Sequence, residues 1–481
     1  MAANVDPVLS QLQQLSALVQ DSIAAYSVEA RAVSNGAKEG SLPSRSLFNT
    51  QRTLLAASGL LTELVSDPSS RLLEVSSQYF ESRALHIAAD QRLADVLAKS
   101  ERQPDVGVDL ETLAGISGIE YRKLGRVLRC LCSIHIFKEV RPDRFANNRI
   151  SAVLVGNEPL RAYILMFASD YLPRILTDAV EGPSYNVDCT PWQHAVGTKK
   201  SRWEWLEEST SVNCLLKGSD LEEGKPGGSN AYPGPFGVVL KTSTEGRLPD
   251  DKVHRPEHEI FGLAMLGGGR VFGQAHLYDF PWASLGNATV VDVGGGVGGF
   301  CLQLSHLYPD LNFVLQDRGP VLKQAATAIW PKENPSAIRQ GRVRFAPHNF
   351  FDPNPEKGAD IYWLRYILHD WADDYCVRIL SSIKASMGPK SRILICDQVM
   401  NTTLGSDELQ PAPAPLPANW GYYTRYSHQR DLAMMSIING IERKPSEFRA
   451  LAESAGLKLN KIWDCRSQVG LVELVLPENA L

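Results

Sequence analysis

Glycine dominates one strand-to-helix turn of this 481-residue chain, the run DVGGGVGG at 292–299. Glycine lets the backbone turn tightly and approach a bound nucleotide, because it has no Cβ. Gly294, Gly296 and Gly299 satisfy G-x-G-x-x-G, the pattern of nicotinamide and flavin dinucleotide sites. Asp292 stands two residues before the first glycine and gives the loop the acidic form D-x-G-x-G-x-G, which favours S-adenosylmethionine. The loop therefore predicts a nucleotide-type cofactor and leaves its class open.

Polar residues follow the next two strands. Asp317 comes about 20 residues after the loop, where a carboxylate can accept hydrogen bonds from both ribose hydroxyls; a helix N-cap is its alternative role. Asn349 and Phe350 follow the third strand, and an amide and a ring suit the edge and face of an adenine. With Asp292 and an antiparallel hairpin at the end of the chain, they favour S-adenosylmethionine. An NAD(P)-dependent oxidoreductase remains the alternative.

His369 is the candidate catalytic base. It follows the apolar run ADIYWL (359–364), so we expect it at the carboxyl end of a parallel strand, where open α/β sheets bind ligands. An imidazole at that edge can take a proton from a hydroxyl nucleophile. A structural role as a cap of the helix that follows is the alternative.

Strands and helices alternate in the C-terminal third, which must position these residues. Strands are predicted at 289–293, 312–316, 343–347, 359–364 and 392–399, and helices near 298–308, 372–387 and 446–456. Apolar, β-branched strands interleaved with helices indicate a parallel sheet that is covered on both faces. The runs KLNKIWD and GLVELVL then form a hairpin, so we expect an antiparallel final strand in an α/β fold.

The first 155 residues are predicted to be mainly helical. Their helical periodicity breaks at 34–36, 39–43 and 67–68, and helices follow at 84–100, 108–117 and 119–134. Strands are predicted at 136–140 (IFKEV) and 149–154 (RISAVL), around the turn Pro142-Asp143-Arg144. Three helices and a hairpin predict a winged helix. DNA binding by the third helix is the alternative use, which the acidic balance of the chain opposes.

Composition narrows the class of partner. A formal net charge of -5 supplies no broad basic surface, so we expect neither a nucleic-acid nor a membrane partner. No secretory signal and no run of about 18 apolar residues is visible. The eight scattered cysteines predict reduced thiols in a cytoplasmic protein, and no metal-ligand spacing is visible.

Two stretches interrupt the regular pattern. Residues 214–255 are rich in Gly, Pro and charge, and they predict a flexible insertion without helices or strands. Residues 401–430 hold a polyproline-like run followed by Trp420 and three tyrosines. Because this second stretch follows a candidate active-site strand, we expect either a lid that contacts substrate or a surface excursion.

The runs VVDVGGGVGGF, LQDRGPVL and HNFFDPNPEKGADIYWLRYILHDWADDYCVRIL resemble the plant caffeic-acid-type and fungal O-methyltransferases. The segment YWLRYILHDW matches the most specific part of that family. The resemblance implies a class I methyltransferase fold, Rossmann-like, with a seven-stranded sheet whose last strand is antiparallel, plus an N-terminal all-α/winged-helix dimerisation domain. We accordingly expect the dimerisation domain over 1–155 and the methyltransferase domain, with its linking helices, over 156–481.

The resemblance also implies roles for individual residues. His369 would be the general base, with Asp397 and Glu442 as the carboxylates that orient its ring. The family often carries Glu at 397, and the alternative role of Glu442 is an ion pair with Arg443 or a charge at a helix N-terminus. The cofactor-binding residues implied are Asp292, Gly294, Gly296, Asp317, Asn349, Phe350 and, through its backbone, Arg365. Those implied to line the acceptor pocket are Met265, Met434 and Asn439.

The activity implied by the resemblance is transfer of a methyl group from S-adenosylmethionine to a hydroxyl, expected to be phenolic, of a small aromatic or polyketide-type metabolite. A homodimer is expected. The main rival keeps the fold and the cofactor but abandons methyl transfer, because some fungal relatives are pericyclases. His369, Asp397 and Glu442 are all present, which favours methyl transfer.

Overall fold

The computed structural model describes residues 5–34, 42–100, 106–119, 121–165, 175, 178, 180–217, 237–272, 274–401 and 404–477. The chain divides into two compact units. The first, here called the sheet unit, comprises Met1–Val65, Pro183–Val187 and Phe272–Leu481. The second, here called the helical unit, comprises Ser66–Gly182 and Asp188–Val271. The predicted domain boundary at residue 155 stays a prediction.

Helices precede the large sheet over most of the chain. Those up to residue 272 are α1 (Val5–Ser34), α2 (Arg45–Val65), α3 (Pro68–Asp90), α4 (Leu93–Ser100), α5 (Leu110–Ser117), α6 (Tyr121–Ser133), α7 (Glu158–Leu165), α8 (Pro191–Val196), α9 (Arg202–Glu207), α10 (Val212–Lys217), α11 (Gly237–Thr244) and α12 (Pro256–Phe272). Those that follow are α13 (Ala275–Tyr278), α14 (Gly299–Leu307), α15 (Gly319–Gln324), α16 (Trp330–Glu333), α17 (Pro335–Arg339), α18 (Asp373–Lys384), α19 (Arg425–Ile438) and α20 (Pro445–Ser454). None of the helices in the described ranges combines the length and the apolar character that a membrane crossing requires.

The strands form one large sheet and two small ones. The small sheets contain β1 (Val108–Asp109), β2 (Phe137–Arg141) and β3 (Arg144–Asn147) in one, and β4 (Ser209–Ser211) and β5 (Lys252–His254) in the other. The large sheet contains β6 (Thr289–Val293), β7 (Asn312–Asp317), β8 (Val343–Pro347), β9 (Ile361–Arg365), β10 (Arg392–Asp397), β11 (Lys458–Trp463) and β12 (Gly470–Val475).

The large sheet has the order β11-β12-β10-β9-β6-β7-β8. Strands β6 to β10 pair in parallel, whereas β12 lies antiparallel to both β10 and β11. The seven-stranded sheet with an antiparallel last strand is therefore confirmed. Because the carboxyl ends of parallel strands meet at one edge, the residues after β6, β7, β8 and β9 converge there.

Side-chain alternation divides the core of the sheet unit into two layers. Trp363 of β9 packs with Phe300 and Trp330 on one face, whereas Tyr362 and Leu364 pack on the other. The Phe300 and Trp363 rings are stacked, with centroids 4.0 Å apart. Both faces of the strands are covered, which explains why their sequences read as nearly continuous apolar runs.

The predicted breaks at 34–36 and 67–68 agree with the end of α1 at Ser34 and the start of α3 at Pro68, whereas residues 35–41 lie outside the described residues. The second strand of the predicted hairpin differs. Strand β3 begins at Arg144, directly after Pro142 and Asp143, and residues Ser151–Leu154 form a 3₁₀ helix. The prediction of a strand at 149–154 was therefore wrong. Asp143 has a φ of 58°, and this left-handed residue closes the hairpin early enough for Arg141 to pair with Arg144.

The predicted insertion at 214–255 contains regular elements. Residues 214–217 complete α10, residues 237–244 form α11, and β5 at 252–254 pairs antiparallel with β4. The prediction of a stretch without helices or strands was wrong for these three segments, because short local pairing outweighed a composition rich in Gly and Pro. Residues 218–236 of the stretch lie outside the described residues.

The segment 404–424 packs against α2 within the sheet unit. Leu416 joins Leu15, Ala56 and Ala57 in a small apolar cluster. The guanidinium carbon of Arg52 lies 3.7 Å from the Trp420 ring centroid, and Arg52 is only 5% exposed. The segment is therefore attached to the N-terminal helices as it leads into α19.

We predict that Gly59→Val destabilises the protein, because α2 and Tyr422 approach too closely for a side chain at residue 59. A Cβ there would lie 2.1 Å from the Tyr422 Cβ. Overpacking of this kind costs about 1–3 kcal/mol, so the apparent melting temperature in a thermal unfolding scan should fall by several degrees.

Gly115→Ala is the matched control, because nothing lies within 4 Å of its added Cβ. Gly115 lies within α5, where alanine is favoured over glycine, so its variant should melt at or slightly above the original temperature. Equal melting temperatures for Gly59→Val and the unchanged protein would disprove the close contact.

Candidate active site

The glycine loop joins β6 to α14 and adopts backbone angles that only glycine reaches without strain. Gly294, Gly296 and Gly298 have φ values of 72°, 59° and 82°. A Cβ at Gly298 would lie 2.1 Å from the Leu315 Cδ2, so any residue there other than glycine would displace the Leu315 side chain of β7. The N–H groups of Gly294 and Gly295 donate to the Gln316 carbonyl, at 2.8 and 3.1 Å, which holds the loop against the next strand.

Asp317 lies at the end of β7, directly against this loop. Its Oδ2 accepts a hydrogen bond from the Gly296 N–H at 2.8 Å, and its Oδ1 accepts one from the Arg318 N–H at 2.7 Å. A carboxylate oxygen can accept two hydrogen bonds, so each oxygen keeps acceptor capacity for a ligand hydroxyl. Asp317 can therefore hold the loop and bind a ribose at the same time.

Asp292 is buried beneath the loop. It is 2% exposed, and the Cys301 thiol donates to its Oδ2 at 3.2 Å. Burial raises the pKa of Asp292 to about 7, against the smaller opposing effects of the Cys301 hydrogen bond and the Arg365 charge. A Cβ at Gly295 would lie 2.5 Å from that same oxygen, so the carboxyl group supports the loop from below.

The residues after β8 and β9 complete this edge of the sheet. The Phe350 ring faces the loop, since its Cδ1 would lie 3.7 Å from a Cβ at Gly294. Asn349 is exposed, and its Oδ1 accepts a hydrogen bond from the Phe351 N–H at 3.3 Å. Arg365 ends β9, with its guanidinium carbon 5.2 Å from the Tyr366 ring centroid. The five predicted positions from 294 to 350 thus follow β6, β7 and β8 at the same edge of the sheet, with Arg365 at the end of the neighbouring strand β9.

His369 lies in a 3₁₀ turn, Leu368–Asp370, just after β9. It is 3% exposed, and its Nδ1 lies 2.9 Å from the Glu442 Oε1. Its Nε2 lies 3.2 Å from the Asp370 Oδ1. Burial alone lowers the pKa of His369, but the charges of Glu442 and Asp370 together raise it well above its ordinary value. The structure therefore brings together the predicted imidazole and one of its two predicted carboxylates.

Asp397 occupies a different position from Glu442. It is 1% exposed, and its Oδ1 accepts a hydrogen bond from the Tyr366 N–H at 3.0 Å. Among the described residues it forms no hydrogen bond with His369. Burial raises the pKa of Asp397 to about 6, and the charge of His369 opposes that rise. Tyr366 has a φ of 54°, so Asp397 supports a strained residue in the turn that carries His369.

Helix α19 ends next to His369. Asn439 caps its end with a φ of 53°, and its Nδ2 donates to the Asn186 carbonyl at 2.7 Å. Met434 is half-buried one turn earlier, and its carbonyl accepts from the Gly440 N–H at 3.1 Å. The Ile441 N–H then donates to the His369 carbonyl at 2.8 Å. Met265, the third residue predicted for the acceptor pocket, belongs to α12 in the helical unit and is 44% exposed.

The sequence did not single out Arg430, which also contacts Glu442. Its Nε lies 3.2 Å from the same Oε1 that His369 uses. The one available signal was spacing: Arg430 is four residues before Met434, and such residues share a helix face.

The residues 261–458 match the model of the O-methyltransferase domain family. The chain is 59% identical over 472 residues to the O-methyltransferase tpcA of Aspergillus fumigatus, covering 96% of this chain and 95% of that protein. The chain belongs to the O-methyltransferase family.

Two solved structures share the fold of this O-methyltransferase at lower identity. CalO1, a methyltransferase of calicheamicin biosynthesis in its SAH-bound form, is 24% identical with a TM-score of 0.54, covering 85% of this chain and 99% of its own. A structure described as a pericyclic reaction enzyme is 21% identical with a TM-score of 0.60, covering 95% and 100% of the two chains. The class I methyltransferase fold expected from the sequence is confirmed.

S-adenosylmethionine is the methyl donor of this enzyme family, which decides between the two cofactor classes left open by the glycine loop. The crevice fits that donor. The carboxylate of Asp317 keeps acceptor capacity for ribose hydroxyls, and open space lies where a Cβ of Gly296 would be. In the described part of the chain, no group of three His, Cys, Asp or Glu side chains is arranged to hold a metal ion.

We predict that Asp317→Ala weakens S-adenosylmethionine binding about 10- to 100-fold. The substitution removes a charged acceptor of ribose hydroxyls and the brace on the Gly296 N–H, and hydrogen bonds to charged groups contribute about 1.5–3 kcal/mol. Isothermal titration calorimetry with the cofactor measures the change.

The control is Asp310→Ala, which removes an exposed carboxylate from the turn between α14 and β7. Its dissociation constant should equal that of the unchanged enzyme. Unaltered cofactor affinity in Asp317→Ala, with the helical circular dichroism preserved in both variants, would remove Asp317 from the cofactor site.

Proposed function

We propose that this O-methyltransferase methylates a phenolic hydroxyl of a small aromatic or polyketide-type metabolite, with His369 as the general base. The observation that carries the proposal is the buried 2.9 Å contact between the His369 Nδ1 and the Glu442 carboxylate. This contact fixes Nδ1–H as the donor to Glu442 and leaves Nε2 as the nitrogen that can accept a proton. The similarity to tpcA, which is itself named an O-methyltransferase, supports a hydroxyl acceptor.

The chain's task in the reaction is to remove a proton from the acceptor. Bound S-adenosylmethionine supplies an electrophilic methyl group on a good leaving group. The difficulty lies with the acceptor hydroxyl, which is a poor nucleophile while it is protonated. An ordinary histidine and a phenol differ by about 3.5 pKa units, which makes full proton transfer before attack cost about 5 kcal/mol. The two carboxylates that raise the pKa of His369 narrow this gap. Proton transfer to Nε2 therefore accompanies formation of the new C–O bond.

The contact between Asp370 and the His369 Nε2 has to open when the acceptor binds. Its Oδ1 lies 3.2 Å from the Nε2 that must receive the proton. A phenolic hydroxyl placed between the two groups would donate to Nε2 once the imidazole is neutral. Glu442 stabilises the imidazolium that results, as a carboxylate does in other His-dependent active sites.

The remaining site residues are proposed in the roles that the family resemblance implies. Asp317 holds the ribose, the glycine loop over Asp292 approaches the cofactor, and Asn349 and Phe350 meet the adenine. Arg365 contributes at the methionine end through its backbone. Met434 and Asn439 line the acceptor pocket, where a thioether suits a flat aromatic ring. The role that the resemblance implies for Met265 stays a prediction. Asp397 acts through the Tyr366 turn that positions His369.

We predict that His369→Ala lowers methyl transfer by about 10²- to 10⁴-fold while cofactor binding persists, because general bases contribute rate enhancements of that size. The assay is mass spectrometry of S-adenosylhomocysteine and of a methylated product, with a panel of phenols as acceptors. A pericyclase would convert its substrate without forming S-adenosylhomocysteine, so the same assay separates the two activities.

His306→Ala is the control, because His306 lies in the last turn of α14, away from the His369 turn. It should retain the full rate. Full turnover in His369→Ala would remove the general-base mechanism, and substrate conversion without S-adenosylhomocysteine would favour the pericyclase.

We also propose that the enzyme is a homodimer assembled through a winged-helix domain. Supporting this, α5, α6 and the β1-β3-β2 sheet form the helices and hairpin of such a domain. Helix α3 exposes Leu72, Val75, Tyr79 and Phe80, at 73%, 48%, 52% and 67%. Their spacing places them along one stripe of the helix, which suits contact with a second copy. A cytoplasmic location is proposed from the scattered spacing of the eight cysteines, which is typical of reduced thiols, and imaging of a tagged copy tests it.

We predict that Phe80→Glu converts a dimer into a monomer, because a charge in an apolar interface is left without a partner. Light scattering after size-exclusion chromatography would show the mass falling from about twice to about once the chain mass of 53.0 kDa. Leu248→Glu, at an exposed leucine in a turn, is the control and should leave the mass unchanged. A dimeric Phe80→Glu variant would contradict the proposed use of α3.

A further inference from the structure

Arg430 contacts the same carboxylate oxygen as the proposed base. Its Nε lies 3.2 Å from the Glu442 Oε1, and the His369 Nδ1 lies 2.9 Å from that atom. The Arg430 side chain is 11% exposed and that of Glu442 is fully buried. One buried carboxylate oxygen is therefore shared between an imidazole and a guanidinium.

Helix α19 holds Glu442 at two points. Arg430 binds the side chain, and the adjacent Asp431 accepts a hydrogen bond from the Glu442 N–H at 2.9 Å. The guanidinium carbon of Arg430 also lies 4.9 Å from the Tyr366 ring centroid, and that ring lies 5.4 Å from the His369 ring. Arg430 therefore contacts Glu442 and Tyr366, two of the groups that lie next to the imidazole. Four residues later the same helix carries Met434, which we place in the acceptor pocket.

We propose that Arg430 is a positioning residue that shares Glu442 with His369 and thereby sets the pH at which the imidazole becomes free to accept the acceptor's proton. The inference rests on the proposed function of His369 as the general base. Arg430 does not contact the reacting atoms in this role, because it acts through Glu442.

The charges around His369 determine the direction in which Arg430 shifts the pKa of the imidazole. Glu442 and Asp370 stabilise the imidazolium, which raises the pKa of His369 well above its ordinary value although burial alone lowers it. A base acts only when deprotonated, so too high a pKa keeps it inactive at neutral pH. The positive charge of Arg430 opposes protonation of the imidazole. Its Nε also occupies one of the acceptor positions of the Glu442 carboxylate. Arg430 therefore limits the rise in the pKa of His369.

Other charged and titratable groups lie on the elements around the His369–Glu442 pair, and a substitution of Arg430 does not remove them. These groups are Tyr366 after β9, Asp370 in the 3₁₀ turn, Asp373 on α18, Asp397 on β10, Asp431 on α19, and Glu442 and Arg443 before α20. Because the set contains more acidic groups than basic ones, removal of one cation shifts the balance toward the protonated imidazole.

The test compares Arg430→Met, which removes the charge, with Arg430→Lys, which keeps it. In the unchanged enzyme, kcat/KM should rise with pH through an acid limb above pH 6.5, the ordinary pKa of His. Arg430→Met should move that limb upward by about one pH unit and lower kcat/KM about tenfold at neutral pH, with recovery at higher pH. Arg430→Lys should keep the limb near its original position.

Arg449→Met is the matched control, because Arg449 forms an ion pair with Glu408 at the surface and has no contact with the His369 pair in the described structure. Its pH profile should superimpose on that of the unchanged enzyme. Calorimetric binding of S-adenosylmethionine should be the same in all three variants, which shows that the fold is preserved.

A direct measurement of the imidazole separates this inference from the proposed function. The His369 ¹⁵N signal, assigned by its loss in His369→Ala, is titrated without acceptor, and its midpoint should rise in Arg430→Met and not in Arg449→Met. An unmoved midpoint, or an equal loss of activity at every pH in both Arg430 variants, would overturn the role of Arg430. Full activity in His369→Ala would instead overturn the general-base function.

Discussion

The buried contact between the His369 imidazole and the Glu442 carboxylate is the interaction on which the rest of the site depends. A carboxylate that is removed from water needs compensating partners, and Glu442 has His369 and Arg430 on one oxygen. In a low-dielectric interior such contacts are stronger than at the surface, but they also cost more when one partner is lost. The elements around the pair therefore have to hold both residues in a single arrangement.

The parallel sheet positions His369, the first residue of the pair. Strand β9 delivers the 3₁₀ turn of His369 to the edge where the glycine loop after β6 also emerges. A Cβ at Gly294 would lie 2.7 Å from the Ile367 Cδ1, so the loop and the turn are in direct contact. The glycine loop and the proposed base are consequently close together, as a methyl transfer between a cofactor at the loop and an acceptor at the base requires.

The position of Glu442 relative to His369 depends on α19 and on the segment that precedes this helix. The Gly440 backbone approaches His369 so closely that a Cβ at residue 440 would lie 2.5 Å from the His369 carbonyl oxygen. Upstream of α19, the segment 404–424 is fastened to α2 through Arg52 and Trp420. The N-terminal helix α2 is joined in turn to the end of the sheet, where Arg45 donates to Asp464 at 3.1 Å. The helices α1 and α2 are thus part of the sheet unit.

The sequence by itself determined the α/β class and the approximate bounds of the strands of the large sheet, in their order along the chain. It also determined the glycine loop and the position of His369 after a parallel strand. These features follow from local periodicity, from glycine conformation and from the rule that ligands bind at the carboxyl ends of parallel strands. The hairpin strand at 144–147 and the helix at 237–244 were missed, because tight turns and short elements depend on contacts beyond the local pattern.

Only the tertiary structure decided which side chains touch the imidazole. Glu442 is 73 residues from His369 in sequence, and Asp397 was predicted as a second partner of the ring, but its hydrogen bond goes to the Tyr366 N–H. The spacing of Arg430 to Met434 was not enough to single it out, since an arginine on an amphipathic helix is usually a solvent-exposed charge. Hydrogen bonds between side chains require distances and directions within a few tenths of an ångström, and residue spacing along the chain does not encode them.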